Sequence, residues 1–173
     1  MQELSPPVPA PDLTVDLLQA LASGQPVLTP RASLVWTAVV DIDAREALGP
    51  SIHGERFIVS IRGGRFWGGP DHAWFTGLVR PGGADRQWLR PDGVKDLHAL
   101  YELQTDDGAV LTIDNRVLVD ESVQPTRYAL SRITVTAPEG PHAWLNRRLF
   151  VGTLQPLRPA RDAVLIRAFL MET

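Results

Sequence analysis

Residues 82–110, which read GGADRQWLRPDGVKDLHALYELQTDDGAV, decide the fold class of this chain. Two glycine-containing turns enclose a run in which apolar and polar side chains alternate. Successive side chains of a β-strand point to opposite faces, so residues 97, 99, 101 and 103 share an apolar face and residues 96, 98, 100 and 102 share a chemically mixed one. The mixed face is either a solvated outer surface or the wall of a wet binding cavity.

Length and composition indicate one globular domain. The chain has 173 residues, of which 44% are hydrophobic and 21% are charged, and its formal net charge is -3. No apolar run approaches the roughly 18 residues that cross a bilayer. A mildly acidic chain also lacks the one-sided basic face of a nucleic-acid binder. We therefore expect neither a membrane nor a nucleic acid as a partner.

The absence of cysteine excludes disulfides and thiolate catalysis and agrees with a reducing compartment. The first residues, MQELSPPVPAPD, carry acids rather than a basic region and no apolar core, so no signal peptide is predicted. A cytoplasmic location is the expectation.

The four histidines do not form a metal motif. They are 19, 26 and 44 residues apart, and no pair has the close spacing of a zinc site. Surface or hydrogen-bonded histidines are favoured over a metal site, although such a site can assemble in three dimensions. The glycine-rich stretch IRGGRFWGG matches neither the dinucleotide fingerprint nor a phosphate loop and is interpreted as a turn. We expect neither a metal nor a cofactor.

Residues 1–30 are predicted to form a flexible proline-rich leader followed by one short helix. Asp12 is placed to cap the start of this helix and Gly24 to end it. The helical spacing comes from Leu13, Leu17, Leu18 and Leu21.

Residues 31–173 are predicted to form a single β-barrel domain. No long crossover helix is present to join parallel strands, so the strands must be antiparallel. A sandwich remains an alternative, but closing the sheet into a barrel removes its exposed edges. The prediction is a closed antiparallel barrel of about 8–9 strands, which often encloses one small ligand. The predicted strands are roughly 33–41, 55–62, 73–79, 86–90, 95–104, 109–116, 126–136, 147–153 and 162–170.

Asp85 is the leading candidate among the carboxylates. It follows a tight PGG turn and starts a strand on which Gln87 shares its face. A carboxylate in a dehydrated cavity has a raised pKa and can act as a general acid or base. Since aspartates also favour turns, a structural role for Asp85 stays open, and for Asp106 and Asp107 it is favoured.

Aromatic residues are candidates for the wall of a ligand cavity, although such rings more often pack in the core. The stretch HAWLNRRLFVG places Trp144 and Asn146 two residues apart, so an aromatic wall and an amide can meet one ligand. The alternative is that Asn146 only caps backbone groups.

Several motifs together resemble a known family. They are RFIVSIRGGRFWG, VRPGGADRQWLRPDG, LHALYELQTDDGAVL and AWLNRRLFVG, in this order, from about Arg56 to the C-terminus. The combination resembles the bacterial and fungal domain of unknown function three-two-three-seven, also called uncharacterised protein family zero-three-one-one. The resemblance implies a lipocalin-like, or calycin-like, antiparallel barrel with a central cavity, in a family of which some members lie in natural-product or aromatic-compound pathways.

The chain also departs from the family pattern. The resemblance implies an Asp at the position of His98, an Arg at Leu100 and a second Arg at Leu130. The cavity is therefore expected to be more apolar than the family norm. Positions that match the pattern are Asp85, Gln87, Tyr101, Asp107, Asn115, Arg116, Trp144 and Asn146.

The leading hypothesis is a cofactor-independent enzyme that promotes cyclisation, isomerisation or elimination of an apolar polyketide-like or aromatic intermediate of secondary metabolism. The proposed catalytic residues are His98, Asp85, Tyr101 and Asn146. The proposed ligand-binding residues are Trp88, Leu100, Leu130, Trp144, Gln87 and Tyr128. Because His98 and Tyr101 point to opposite faces, only one of them is expected to line the cavity, and the face of His98 and Leu100 is preferred.

Two alternatives remain open at this point. One is a non-catalytic carrier or sensor that uses the same cavity to hold a small apolar or aromatic ligand. The other is a structural module whose barrel is filled by its own side chains. A homo-oligomer is compatible with all three hypotheses.

Overall fold

The computed structural model describes residues 14–173. They form one α-helix, α1 (Val15–Ser23), and two short 3₁₀ helices, Pro70–His72 and Ala143–Arg147. Residues Arg31–Glu172 make one compact unit, and α1 belongs to a separate one. The strands are β1 (Arg31–Ile42), β2 (Glu46–Ser51), β3 (Gly54–Gly68), β4 (Gly77–Val79), β5 (Ala84–Leu89), β6 (Lys95–Thr105), β7 (Val110–Asp120), β8 (Tyr128–Thr136), β9 (Phe150–Pro156) and β10 (Ala163–Glu172).

The strands pair antiparallel and close into a ring. From β1 the pairings run through β10, β9, β8 and β7 to β6. β4 and β5 share the next position, since both join β6 to β3 at different heights. β3 then returns to β1. The predicted closed antiparallel barrel is confirmed, with eight positions in the ring and β2 as an extra strand on β3.

The predicted strands do not include β2, because Gly49-Pro50 is a typical turn signal. In the structure both residues lie in β2, and the pairing with β3 shifts register between Ala47 and Gly49. Gly49 has a positive φ of 81° at this irregularity, which glycine adopts without strain. Proline is tolerated because β2 is an edge strand, with β3 as its one partner among the described strands.

Gly63 and Gly64 belong to the stretch IRGGRFWGG, which is predicted to be a turn, but they lie inside β3. They stand where β3 leaves β5, which it pairs up to Ser60, and joins β4 from Gly64 onward. A Cβ on Gly64 would lie 2.0 Å from the carbonyl oxygen of Val39, so glycine lets two backbones approach at this barrel corner. The predicted strand at 73–79 is likewise shorter than expected, since only Gly77–Val79 is extended.

The predicted short helix is present. Gly24 ends it as expected, but its N-cap is Thr14, whose Oγ1 accepts a hydrogen bond from the Leu17 backbone N–H at 3.4 Å. Asp12, Leu13 and the proline-rich leader lie outside the described residues. Within residues 14–173, no helix has the length and apolarity needed to cross a membrane.

Side chains fill one end of the barrel and leave the other end hollow. At the filled end the buried indole of Trp36 packs against Phe75 and Phe150, with ring centroids 5.8 and 5.4 Å apart. Phe75 and Leu145 come from the segments around the two 3₁₀ helices and are 1% exposed. These segments close that end. The hollow end is where β1, β7 and β9 finish and β6, β8 and β10 begin.

Candidate functional site

A cavity of about 180 Å³ occupies the hollow end of the barrel. Its wall is mainly aliphatic, with side chains such as Val40, Ile61, Val117 and Ile166 from four different strands. Few polar groups interrupt this wall, and they are of two kinds. Asp85, Gln87, Tyr101 and Asn115 are one group, and the cations Arg45, Lys95 and Arg127 are the other. An apolar cavity with a few convergent polar groups is the usual form of a small-molecule site.

The strand β6 contributes its odd-numbered residues to the cavity. Tyr101 lines it and is 1% exposed, whereas Leu100 is 47% exposed and His98 does not line it. The opposite orientation of His98 and Tyr101, predicted from strand alternation, is confirmed. The preference for the face of His98 and Leu100 is wrong, because that mixed face is the outer surface, where Nε2 of His98 lies 3.0 Å from Oδ1 of Asp114.

Asp85 is held in the cavity by the register of β5, β6 and β7. It lies opposite Ala99 on β6, which in turn lies opposite Asn115 on β7. Directly opposed residues of an antiparallel sheet share a face, so all three side chains point into the barrel. Since Ala99 has the smallest side chain of the three, the space between the carboxyl and the amide stays open.

The environment of Asp85 changes its acidity. Burial among apolar side chains raises the pKa of Asp85 to about 6, although a hydrogen bond from Gln87 opposes this shift. In that bond the amide Nε2–H of Gln87 donates to Oδ2 of Asp85 at 2.6 Å. The other oxygen, Oδ1, is shielded from solvent and has no hydrogen-bond partner among residues 14–173. A carboxyl with such a pKa exchanges protons readily near neutral pH.

Two further polar groups of the cavity have no hydrogen-bond partner in the part of the chain that the structure describes. The buried hydroxyl of Tyr101 forms no hydrogen bond with any described residue, and neither do the buried amide nitrogen and amide oxygen of Asn115. Burial also raises the pKa of Tyr101, so its phenol stays protonated and can donate. Buried polar groups are nearly always hydrogen-bonded, so these unpartnered atoms indicate a place for a polar ligand or ordered water.

Cations surround the mouth of the cavity. Lys95 is the first residue of β6, Arg127 precedes β8, and Arg45 lies between β1 and β2. Oε1 of Glu121 lies 2.7 Å from Nζ of Lys95 and 3.6 Å from Nη1 of Arg127. The guanidinium of Arg45 lies 3.9 Å from the ring centroid of Phe57.

The structure separates the remaining predicted site residues from the cavity. Trp88 lies on the outer face of β5 beside a surface cleft with His53 and Arg90. Tyr128 and Leu130 on β8 are 42% and 43% exposed and border another shallow cleft. The prediction that Trp88, Tyr128 and Leu130 bind the ligand is therefore wrong, as it is for Leu100. Their positions along the alternating strands place these side chains on the outer face of the barrel.

Trp144 and Asn146 lie at the closed end of the barrel. The Trp144 ring stacks on His72 with centroids 5.5 Å apart. The amide of Asn146 accepts a hydrogen bond from the Ala137 backbone N–H at 2.8 Å and donates to the Ala137 carbonyl at 2.9 Å. Asn146 therefore caps backbone groups, which is the alternative to a role in the site. Neither Trp144 nor Asn146 lines the cavity.

Sequence reasoning missed Asn115 and the three cations as site residues. A signal for Asn115 was present, because it interrupts the buried alternation of Leu111, Ile113, Val117 and Val119 along β7. No comparable signal exists for Arg45, Lys95 and Arg127, which come together only through barrel closure. Within residues 14–173, no three His, Asp or Glu side chains are grouped so that they could hold a metal ion.

Comparison with known protein families and relatives gives one consistent result. A family described as "Protein of unknown function (DUF3237)" matches residues 30–171. A UPF0311 protein from Clostridium acetobutylicum is 30% identical over 131 residues, which cover 68% of this chain and 80% of that protein.

Solved structures have the same fold. The crystal structure of a conserved protein of unknown function from Rhodopseudomonas palustris has a TM-score of 0.75 at 29% identity and covers 84% of this chain and 100% of its own. The crystal structure of an enzyme from Penicillium herquei has a TM-score of 0.66 at 20% identity and covers 86% and 99% of the two chains. At this identity the second likeness shows the fold alone.

Proposed function

The chain belongs to the DUF3237 family, and on that premise we propose that it is an enzyme that moves protons on a small, largely apolar carbonyl compound held inside its barrel. The observation that carries the proposal is the position of Asp85, a carboxyl with a pKa of about 6 in an aliphatic cavity that also holds unpartnered hydrogen-bond donors. That a barrel of the same fold from Penicillium herquei is an enzyme supports it at the level of fold.

Asp85 is the general base of the proposed reaction. Its carboxylate takes a proton from the carbon next to the substrate carbonyl, and the C–H electron pair forms a carbon–carbon double bond while the carbonyl π pair moves onto oxygen. With a pKa near 6 the group is mainly ionised at neutral pH, yet it is a stronger base than an ordinary aspartate. Gln87 positions the carboxylate by its hydrogen bond to Oδ2.

Tyr101 and Asn115 are the proposed partners of the developing negative charge. The Tyr101 hydroxyl and the Asn115 amide N–H line the same cavity as Asp85, and within residues 14–173 nothing is hydrogen-bonded to them. Donors already aimed at the place where charge appears stabilise an enolate oxygen without reorganisation. In an enolate conjugated with a further double bond, return of the proton to the far carbon gives isomerisation. Attack of the enolate carbon on a second carbonyl of the same molecule gives cyclisation, and departure of a β-substituent with its bonding pair gives elimination.

The size of the cavity limits the size of the substrate. A volume of about 180 Å³ is slightly more than that of the roughly 150 Å³ engineered cavities that admit benzene. A compound with one aromatic ring and a short substituent fits this space better than an extended polyketide chain does. Of the two substrate classes expected from the sequence, we therefore favour the small aromatic one.

Deuterium exchange tests the proposal without knowledge of the natural substrate. The probe is 2-indanone, a compact ketone whose carbonyl lies between two benzylic CH₂ groups, incubated with the protein in D₂O while NMR follows loss of the protons next to its carbonyl. We expect saturable exchange that falls by about 100-fold or more in Asp85→Asn. The matched control is Asp114→Asn, which removes a carboxylate on the outer face of β7 and should leave the rate unchanged.

Three results have distinct meanings. Exchange in Asp85→Asn at the rate of the unchanged protein would refute the role of Asp85. Binding of 2-indanone with no exchange above the buffer rate would favour the carrier or sensor alternative. Absence of binding by 2-indanone and by other compact benzylic ketones would count against both functions.

A further inference from the structure

We propose that the compound taken up by this cavity carries a carboxylate, which is held at the mouth of the barrel while the reacting part of the molecule lies beside Asp85. The inference rests on the proposed function for the identity of the site. It adds the substrate class and the orientation in which the substrate enters.

Three cations converge on the mouth from distant parts of the chain. Arg45, Lys95 and Arg127 all line the cavity. They meet because β1 ends, and β6 and β8 begin, at the same end of the antiparallel barrel. The chain as a whole has a net charge of -3, so this group of cations does not reflect a general excess of basic residues.

The positive charge at the mouth is only partly balanced. Glu121 is shared between Lys95 and Arg127, and its side chain is 52% exposed. Arg45 lies against the Phe57 ring. Among residues 14–173, Glu121 is the one carboxylate that forms ion pairs with any of the three cations lining the cavity at its mouth, so the inner rim of the mouth is positive and attracts a small anion.

Partial burial makes this attraction effective. The side chains of Lys95 and Arg127 are 27% and 29% exposed, so they are screened by water less than ordinary surface charges are. An arginine guanidinium also matches the planar geometry of a carboxylate and can bind it with two hydrogen bonds. The mouth therefore suits a carboxylate better than it suits a neutral polar group.

The distance between the mouth and the acid–base group fixes the orientation. Lys95 and Ala99 are four residues apart on β6, a separation of about 13 Å along the strand. Asp85 lies opposite Ala99. A carboxylate that pairs with the mouth cations thus directs the other end of a compact molecule toward Asp85, and the two negative groups stay apart.

A charged and a neutral compound of the same shape test the inference. The probes are trans-cinnamate and cinnamamide, each with one ring and a short side chain, titrated into the full chain by calorimetry. We expect cinnamate to bind at least about tenfold more tightly, and the difference to shrink as NaCl is raised. The preference should disappear in the double variant Lys95→Met, Arg127→Met.

Two further variants keep the test independent of folding. Glu121→Gln removes the carboxylate that competes for Lys95 and Arg127, so it should raise the affinity for cinnamate about two- to fivefold. Arg132→Met removes a cation from the outward-facing, exposed side of β8 and should change neither affinity.

The outcomes separate this inference from the proposed function. Equal binding of the two probes, or binding of neither, overturns the inference. A carboxylate preference together with ketone exchange that does not depend on Asp85 supports the inference and refutes the enzyme mechanism. Exchange that depends on Asp85, without any carboxylate preference, supports the enzyme mechanism and refutes the inference.

Discussion

Asp85 on β5 and Asn115 on β7 lie on either side of Ala99 in one row across the barrel wall. The small alanine keeps the space between the carboxyl and the amide open to the cavity. This arrangement concentrates the polar chemistry of the barrel at the floor of the cavity, immediately above the residues that fill its closed end.

Filling the space above Ala99 should weaken ligand binding. In Ala99→Leu the larger side chain enters the cavity, so we expect the affinity for trans-cinnamate to fall at least about tenfold, with a change in unfolding free energy of no more than about 1 kcal/mol because the added atoms occupy empty space. Calorimetric titration and urea unfolding measure the two effects. Leu97→Met, a volume-conserving change in the same wall, is the control, and retained affinity in Ala99→Leu would contradict the assignment of the cavity.

The raised pKa of Asp85 should make the protein less stable as pH rises. Between pH 3.8 and about 6 the folded state holds a proton that the unfolded state has lost, so the contribution of Asp85 is fully present below pH 4 and is lost as pH rises through 6. A shift of this size corresponds to at most about 3 kcal/mol. Asp85→Asn should therefore be more stable than the unchanged protein above pH 7 and lose this part of the pH dependence.

Urea unfolding at pH 4, 5, 6 and 7 tests this difference. The quantity to compare is the unfolding free energy of Asp85→Asn minus that of the unchanged protein, because other groups cancel in the difference. The matched variant Asp114→Asn, on the outer face, should show no such rise with pH. A difference that is flat from pH 4 to 7 would show that Asp85 titrates normally.

Removal of the Tyr101 hydroxyl should slow the proton-exchange reaction without lowering the unfolding free energy. The hydroxyl is buried and unpartnered, so Tyr101→Phe should leave the unfolding free energy unchanged or raise it by about 1 kcal/mol. The same variant should slow 2-indanone exchange by about 10-fold or more, because the enolate loses a donor. A clear loss of stability would instead reveal a partner for this hydroxyl in the free protein.

His142 should contribute to stability without affecting the site. Its Nε2 lies 2.9 Å from Oδ2 of Asp107, its ring packs 5.7 Å from Trp74, and its side chain is 4% exposed. His142→Ala should lower the unfolding free energy by about 2–3 kcal/mol, through lost packing and a lost hydrogen bond. The affinity for trans-cinnamate should stay within about twofold, since His142 lies at the closed end of the barrel. A large loss of affinity would show that packing at the closed end is energetically coupled to the cavity.

Strand alternation predicted part of the site. Asp85 and Gln87 were placed on one face of a strand, and both line the cavity. Tyr101 was placed opposite His98, as observed. The prediction that the His98 face of β6 lines the cavity was wrong. A mixed face with a histidine and a leucine is as compatible with an outer surface as with a cavity wall. Trp144 and Asn146 are close in sequence but lie at the other end of the barrel.

The sequence by itself determined the antiparallel strands, the turns between most of them and the relative orientation of neighbouring side chains. These follow from the period of two along a strand and from local turn chemistry. Only the tertiary structure decided which face points inward, that Asp85, Ala99 and Asn115 form one row, and that Arg45, Lys95 and Arg127 meet at the mouth. The reason is physical: a period of two relates side chains within a strand, whereas register and closure depend on pairing with strands far away in the chain.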